Sequence, residues 1–139
     1  MNGEIVTRLE QNLTAFAGLP AIISAAGERA SFRFVEFFTA NIQNPNTRAA
    51  YGRAVRELCE WCEDRGLRLE DLNPVIVAGY VEILGRPVDK GGRGYSKPSV
   101  KQHLAAIRML LDYLVTGGVL PMNPASSVRV SSRISFGPL

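Results

Sequence analysis

Histidine occurs once in this 139-residue chain, at His103, and cysteine twice, at Cys59 and Cys62. These scarcities exclude most site chemistry. A structural zinc needs about four nitrogen or sulfur ligands, and one C-x-x-C pair with a single distant histidine does not supply them. The pair lies in LCEWCEDRG, whose spacing is helical rather than that of a strand leading into a helix, so both thiols are expected in the core rather than in a redox centre. Nucleophilic catalysis needs a base in reach of the nucleophile and a group to orient it. Ser99 and His103 stand one helical turn apart, with no orienting acid or oxyanion donors beside them. Neither a cofactor nor a metal is expected, and no small-molecule substrate.

Long apolar runs are also missing. None approaches the roughly 18 residues that mark a membrane span, and the start, MNGEIVTRLEQNL, lacks a basic stretch followed by an apolar one. A soluble, cytoplasmic protein with no membrane partner is expected. Acids are sparse in one region. Residues 86–108 hold Arg86, Lys90, Arg93, Lys97, Lys101 and Arg108 against only Asp89. Residues 57–82 reverse this, with Glu57, Glu60, Glu63, Asp64, Glu70, Asp71 and Glu82 against Arg65 and Arg68. An acidic half followed by a basic half predicts a polarised surface, one side of which can meet phosphates. The net charge of +3 and the pI near 9.1 agree, though weakly.

What is present is enough apolar residue for a packed core: 46% hydrophobic against 21% charged. Ile5, Leu9, Leu13 and Phe16 have the spacing of a short helix within residues 1–30, an N-terminal extension of undecided role. Ser31 is expected to cap a helix over 31–42 with Phe34, Val35, Phe37 and Phe38 on its apolar face. A turn at QNPN follows. A second helix, capped by Asn46 or Thr47 and ended by Gly66, buries Tyr51, Ala54, Val55, Leu58, Cys59 and Cys62, with Trp61 at its flank. Asn73 and Pro74 open a third, reaching Leu84. Residues 85–94 read as a flexible cationic loop with four glycines. The last helix runs from about Pro98 to Thr116, with Val100, Leu104, Ile107, Leu111 and Leu114 as its core stripe. No strand alternation is evident. The fold class is all-α, a four-to-five-helix bundle, with a core domain over 31–129 and a Pro- and Ser-rich linker or tail over 130–139.

Two polar clusters invite a function. Lys97, Lys101 and Arg108 lie at helical spacings of 4 and 7, with Gln102 and His103 beside them and Ser96 and Ser99 at the helix start. Glutamine pairs with adenine edges and arginine or lysine with guanine edges in a major groove, while hydroxyls and free N–H groups at a helix start take phosphate. A solvated charged face is the plainer reading. Thr47, Arg48, Tyr51 and Arg53 at the start of the second helix form another possible phosphate clamp, or simply a cap and the edge of the core. Arg93 in the loop adds a further cation. An interaction module docking a partner through Phe37, Phe38, Trp61 or the N-terminal helix is the rival function, and an enzyme ranks third.

These clusters carry a resemblance. NPNTRAAYGRAVRELCEWCEDRG resembles a helix of the core-binding domain of tyrosine recombinases, the phage-integrase family, through Thr47, Tyr51, Val55, Leu58 and Trp61 or Cys62. LNPVIVAGYVEIL is similar to the next helix through Leu72, Val77 and Tyr80. KPSVKQHLAAIRMLLDYLVTGGVLPMNPASSVR is similar to the last through Ser99, Val100, Leu104, Ala106, Ile107, Arg108, Tyr113 and Asn123-Pro124, with Ser99 where the family usually has threonine. The resemblance covers roughly Ser31 to Arg129. It implies a SAM-like helical domain forming one half of a C-shaped clamp on duplex DNA, with other protomers on the same DNA as further partners. It also implies that the catalytic half, with its arginines, lysine, His-x-x-Arg and nucleophilic tyrosine, follows the Asn-Pro linker. The chain extends about fifteen residues past that linker, position 106 is alanine rather than the arginine of a His-x-x-Arg, and Tyr113 fits a core stripe. The chain is therefore expected to bind DNA without cleaving it, as part of a recombinase acting in DNA integration or recombination. Arg108 is expected either at the DNA or bracing the bundle.

Overall fold

The computed structural model describes residues 18–130. The helix expected over Ile5–Phe16 and the tail from residue 131 lie outside them. Within the described residues five α-helices stack into a bundle and no strand occurs. They are α1 (Ala21–Ala25), α2 (Glu28–Glu36), α3 (Pro45–Asp64), α4 (Pro74–Gly85) and α5 (Lys97–Thr116).

The helix starts follow from capping chemistry. A helix leaves its first N–H groups without partners, and an Asn or Ser side chain just before it supplies an acceptor. Asn44 Oδ1 accepts from the Asn46 and Thr47 amides at 2.9 and 3.1 Å, so the cap of α3 precedes Pro45 instead of falling on Asn46 or Thr47. Proline explains the shift, because its fixed φ and absent N–H suit the first helical position. Asn73 caps α4 in the expected way, accepting from the Ile76 amide at 2.9 Å. Ser96 Oγ accepts from the Ser99 amide at 3.3 Å and opens α5. Gly66 ends α3 with φ +68°, as expected. The Leu67 amide then reaches the Cys62 carbonyl at 2.9 Å and the Gly66 amide that of Glu63 at 3.1 Å, the paired bonds of a Schellman motif.

The first helices depart from expectation. Ser31 does not cap a helix; α2 begins at Glu28, and the Ser31 hydroxyl donates back to the Gly27 carbonyl at 2.9 Å. Nor does α2 continue to residue 42. It gives way to a π-helical turn over Phe37–Asn41. Neighbours on an α-helix point about 100° apart, yet Phe37 and Phe38 are both buried. The segment is apolar on two sides: Phe38 packs edge-on to Phe34 at 5.1 Å and Phe37 lies 5.5 Å from the Tyr113 ring of α5. Ile22, Ile23 and Ala30 join the same core, so packing starts ahead of Ser31. Trp61 is buried too, with its ring 5.0 Å from Tyr80. Phe37, Phe38 and Trp61 are thus core residues, and the docking surface imagined on them is not at the surface.

The stripe on α5 is buried as expected: Val100, Leu104, Ile107, Leu111 and Leu114, with Ala106 and Leu110 added. Burial of each Leu or Ile contributes about 2–3 kcal/mol before entropy. Cys59 and Cys62 are buried free thiols. Burial pushes the Cys62 thiol up to about 11, and that of Cys59 further still.

Residues 85–94 are not a slack loop. A short 3-10 turn over Val88–Lys90 folds them back, and the amides of Arg93, Gly94 and Tyr95 donate to the carbonyls of Ile83, Arg86 and Leu84 at 3.0, 2.8 and 2.9 Å. Gly92 sits so close to Arg86 that a Cβ there would lie 2.1 Å from its carbonyl oxygen. This turn fixes where Arg93 and Tyr95 enter the bundle.

Candidate nucleic-acid interface

Helices α3 and α5 pack on one another, and one carboxylate organises their meeting. Glu57 on α3 accepts from the Tyr95 hydroxyl at 2.6 Å and from an Arg93 guanidinium nitrogen, and its second oxygen lies 3.1 Å from His103 Nε2. His103 Nδ1 faces the Ser99 carbonyl at 3.0 Å. Both ring nitrogens thus meet oxygens. Burial pushes the Glu57 carboxyl up, but the hydrogen bonds from Tyr95, His103 and Arg93 outweigh it, and the net shift is downward. Donation to Glu57, with burial, holds the Tyr95 hydroxyl above its ordinary value.

This hub separates the expected contact residues into two sets. Arg93 and His103 are turned inward to Glu57 and the Ser99 backbone faces His103. Arg48 donates through two nitrogens to the Ile42 carbonyl at 3.1 and 2.7 Å, tying the start of α3 to the end of the π-turn. Arg108 donates Nε to the Ala125 carbonyl at 3.2 Å and a second nitrogen to the Val128 carbonyl. That is the bracing alternative raised for it. Tyr51 is half-buried against the core.

The other set faces outward. Thr47 and Arg53 on α3 and Ser96, Lys97, Lys101 and Gln102 on α5 are exposed. Five acids pair with other cations: Glu36 with Arg33, Glu70 and Asp71 with Arg68, Glu82 with Arg86, and Glu57 with Arg93 and His103. Among the described residues, Arg53, Lys97 and Lys101 form no ion pair. Arg53 precedes Glu57 by one turn, on the side of α3 that meets α5. Lys101 and Arg108 share the wall of one cavity, whereas the Arg48 side chain bonds to the Ile42 carbonyl. No group of three His, Cys, Asp or Glu residues among the described residues could hold a metal, and no described helix is long and apolar enough to cross a membrane.

A bundle of this helix order, closed by an Asn123-Pro124 turn, has a counterpart among known families. A family model described as the N-terminal SAM-like domain of phage integrase matches residues 33–118. The chain belongs to this family. The match spans the π-turn and α3 to α5, so the integrase domain includes both the Glu57 hub and the exposed cations of α5. Searches among curated proteins and among solved structures gave no match.

Sequence reasoning missed two features, one inside the matched span and one beyond it. Glu57 was one acid among seven, and nothing local marks its partner 46 residues away. Arg129 was placed at the end of the core domain and given no role, because Arg108, beside it in the cavity, lies about twenty residues away in the chain.

Proposed function

We propose that this integrase domain binds duplex DNA through the outward face of α5, as the non-catalytic half of a site-specific recombinase's clamp. The carrying observation is the pairing pattern. Carboxylates of the same chain take Arg33, Arg68, Arg86 and Arg93, while Lys97 and Lys101 stay exposed with no ion pair among the described residues. Unpaired cations on one helix flank release counterions when phosphates replace water-borne salt. Gln102, next to Lys101, supplies a bidentate donor and acceptor for a base edge. Thr47 and Arg53 extend the contact to α3. Ser96, Ser99, Arg48, Tyr51, Arg93, His103 and Arg108 then act mainly by holding the two helices and residues 123–128 in place, with Ser96 adding a hydroxyl at the helix start.

The chain itself performs no strand cleavage in this reading. Its one histidine is committed to Glu57, and Tyr113 is half-buried against Phe37. Cleavage and rejoining belong to a catalytic domain of the recombinase, which acts in the cytoplasm on double-stranded DNA beside other protomers.

The test is binding to a random duplex across a salt series, for this chain and a Lys97→Ala/Lys101→Ala variant. With about 4–6 phosphates contacted, log K against log salt should fall with a slope of about −4 to −5. The variant should flatten it by about 2 units. Equal slopes would remove α5 from the DNA, and absence of binding at low salt would remove the reading altogether.

A further inference from the structure

Beyond α5 the described chain folds back as a strap, and the strap creates a second cationic feature. Asn123 begins it. Its side-chain amide donates to the Arg108 carbonyl at 3.0 Å and to Asp112 Oδ1 at 2.7 Å, while its own Oδ1 accepts from the Ala125 amide at 2.8 Å. The Arg108 side chain grips the next residues through the Ala125 and Val128 carbonyls. Pro124, Ala125 and Val128 are buried beneath. The strap therefore lies in one place on α5, and Arg129 is delivered beside Arg108.

The result is a cavity of about 300 Å³ lined by Lys101, Leu104, Arg108, Arg129 and Val130. Three of the five are cations and none is an acid. Asp112, the acid bonded to the strap, is taken by Asn123. Arg129 spends Nη1 on the Ser126 and Val128 carbonyls, both at 3.0 Å, and a guanidinium carries five N–H donors. Lys101 is exposed with no ion pair among the described residues. Like charges gathered this way repel one another. Burial, and then the Arg129 charge, hold the Arg108 guanidinium below its ordinary value. An anion entering the notch relieves that repulsion and gains charge-assisted hydrogen bonds.

We propose that this notch seats one backbone phosphate of duplex DNA, gripped by Lys101 from α5 and by Arg129 from the strap. Arg108 is the positioning residue that presents Arg129. The proposal rests on the DNA reading of the α5 face and extends it past the helix. The strap becomes part of the interface, so the segment leaving the domain is held at a set place on the duplex backbone.

The experiment is the same duplex titration over salt, now with Arg129→Gln, Arg129→Lys, Lys101→Gln and Lys97→Gln. Arg129→Gln and Lys101→Gln should each weaken binding by roughly tenfold at low salt and flatten the slope by about 0.9. Their double variant should lose less than the product of the two, because both grip one phosphate. Arg129→Lys should recover most of the affinity and the slope, since the charge is retained. A wild-type slope in Arg129→Gln beside a flattened one in Lys97→Gln would overturn the notch and leave the α5 face standing. Failure of Arg129→Lys to restore the slope would also overturn it, by making the arginine's bonds to the strap the whole of its role. No wild-type binding at low salt would overturn both readings.

Discussion

Glu57 and His103, 46 residues apart in the chain, meet across α3 and α5 with Oε2 and Nε2 3.1 Å apart. The contact is built on a carboxylate that also takes Arg93 and Tyr95. One side chain thus ties together the two helices that carry the exposed cations, and leaves Arg93 and His103 facing inward.

Removing that carboxylate should be costly. In Glu57→Ala three donors lose their acceptor in a half-buried site, and a stability loss of about 2–3 kcal/mol is expected. Chemical denaturation of the variant beside wild type measures it. A loss under about 0.5 kcal/mol, the size of an ordinary surface change, would mean that the hub is ornamental.

Its pH dependence has a defined sign. The folded Glu57 carboxyl lies below the ordinary value of 4.5. Its contribution to stability is therefore complete above that value and is lost as pH falls through the folded one. Melting temperatures of wild type and Glu57→Gln should differ by a steady amount well above the ordinary carboxylate value and converge as pH falls below it. A gap that widens on acidification would contradict the assignment.

The strap depends on Arg108. Arg108→Met keeps much of the side-chain volume but leaves the Ala125 and Val128 carbonyls without their donor. We expect a loss of about 1–3 kcal/mol and faster hydrogen exchange at the Val128 amide, which bonds to the Ala125 carbonyl at 3.2 Å. Unchanged exchange there would show that Pro124, Ala125 and Val128 hold the strap by burial without the arginine.

Gly92 should not tolerate a side chain. A Cβ 2.1 Å from the Arg86 carbonyl oxygen forces the turn apart, because the obstacle is backbone rather than a movable side-chain tip. Gly92→Ala should cost about 2 kcal/mol or more and displace Arg93 from Glu57. Thermal unfolding tests the first effect. The second predicts that adding Glu57→Gln to Gly92→Ala costs less than it does in wild type.

The two thiols should be silent in the folded protein. Both are buried, and burial raises both above the range in which thiolate forms at neutral pH. Alkylation at about pH 8 should proceed only at the rate of unfolding. Rapid labelling of either cysteine in the native protein would contradict this packing.

The elements were legible in the sequence where local chemistry decides them. Asn73-Pro74 and Ser96 announce helix starts because capping is settled within three residues, and Gly66 announces an end because a left-handed residue closes the Schellman motif. The α5 stripe follows from helical period. Local rules failed at Phe37 and Phe38, where packing against both Phe34 and Tyr113 overrides the simple period, and at Ser31, whose capping chemistry went unused because α2 starts one turn earlier. The basic composition of residues 86–108 was equally plain, but composition does not say which cations remain exposed. Arg86, Arg93 and His103 read the same as Lys97 and Lys101 until their partners are known.

By itself, then, the sequence determined an all-α domain of the integrase family, the helix caps, the buried α5 stripe and the excess of cations near α5. Those properties depend on residue type and on neighbours within a turn or two. Only the tertiary structure decided that Glu57 would draw in Arg93, Tyr95 and His103, that Lys97 and Lys101 would stay exposed and unpaired among the described residues, and that Asn123 and Arg108 would lay the following segment along α5. Hydrogen bonds and ion pairs require atoms within about 3 Å of one another, and partners separated by 15 to 46 residues reach that distance only when the bundle closes.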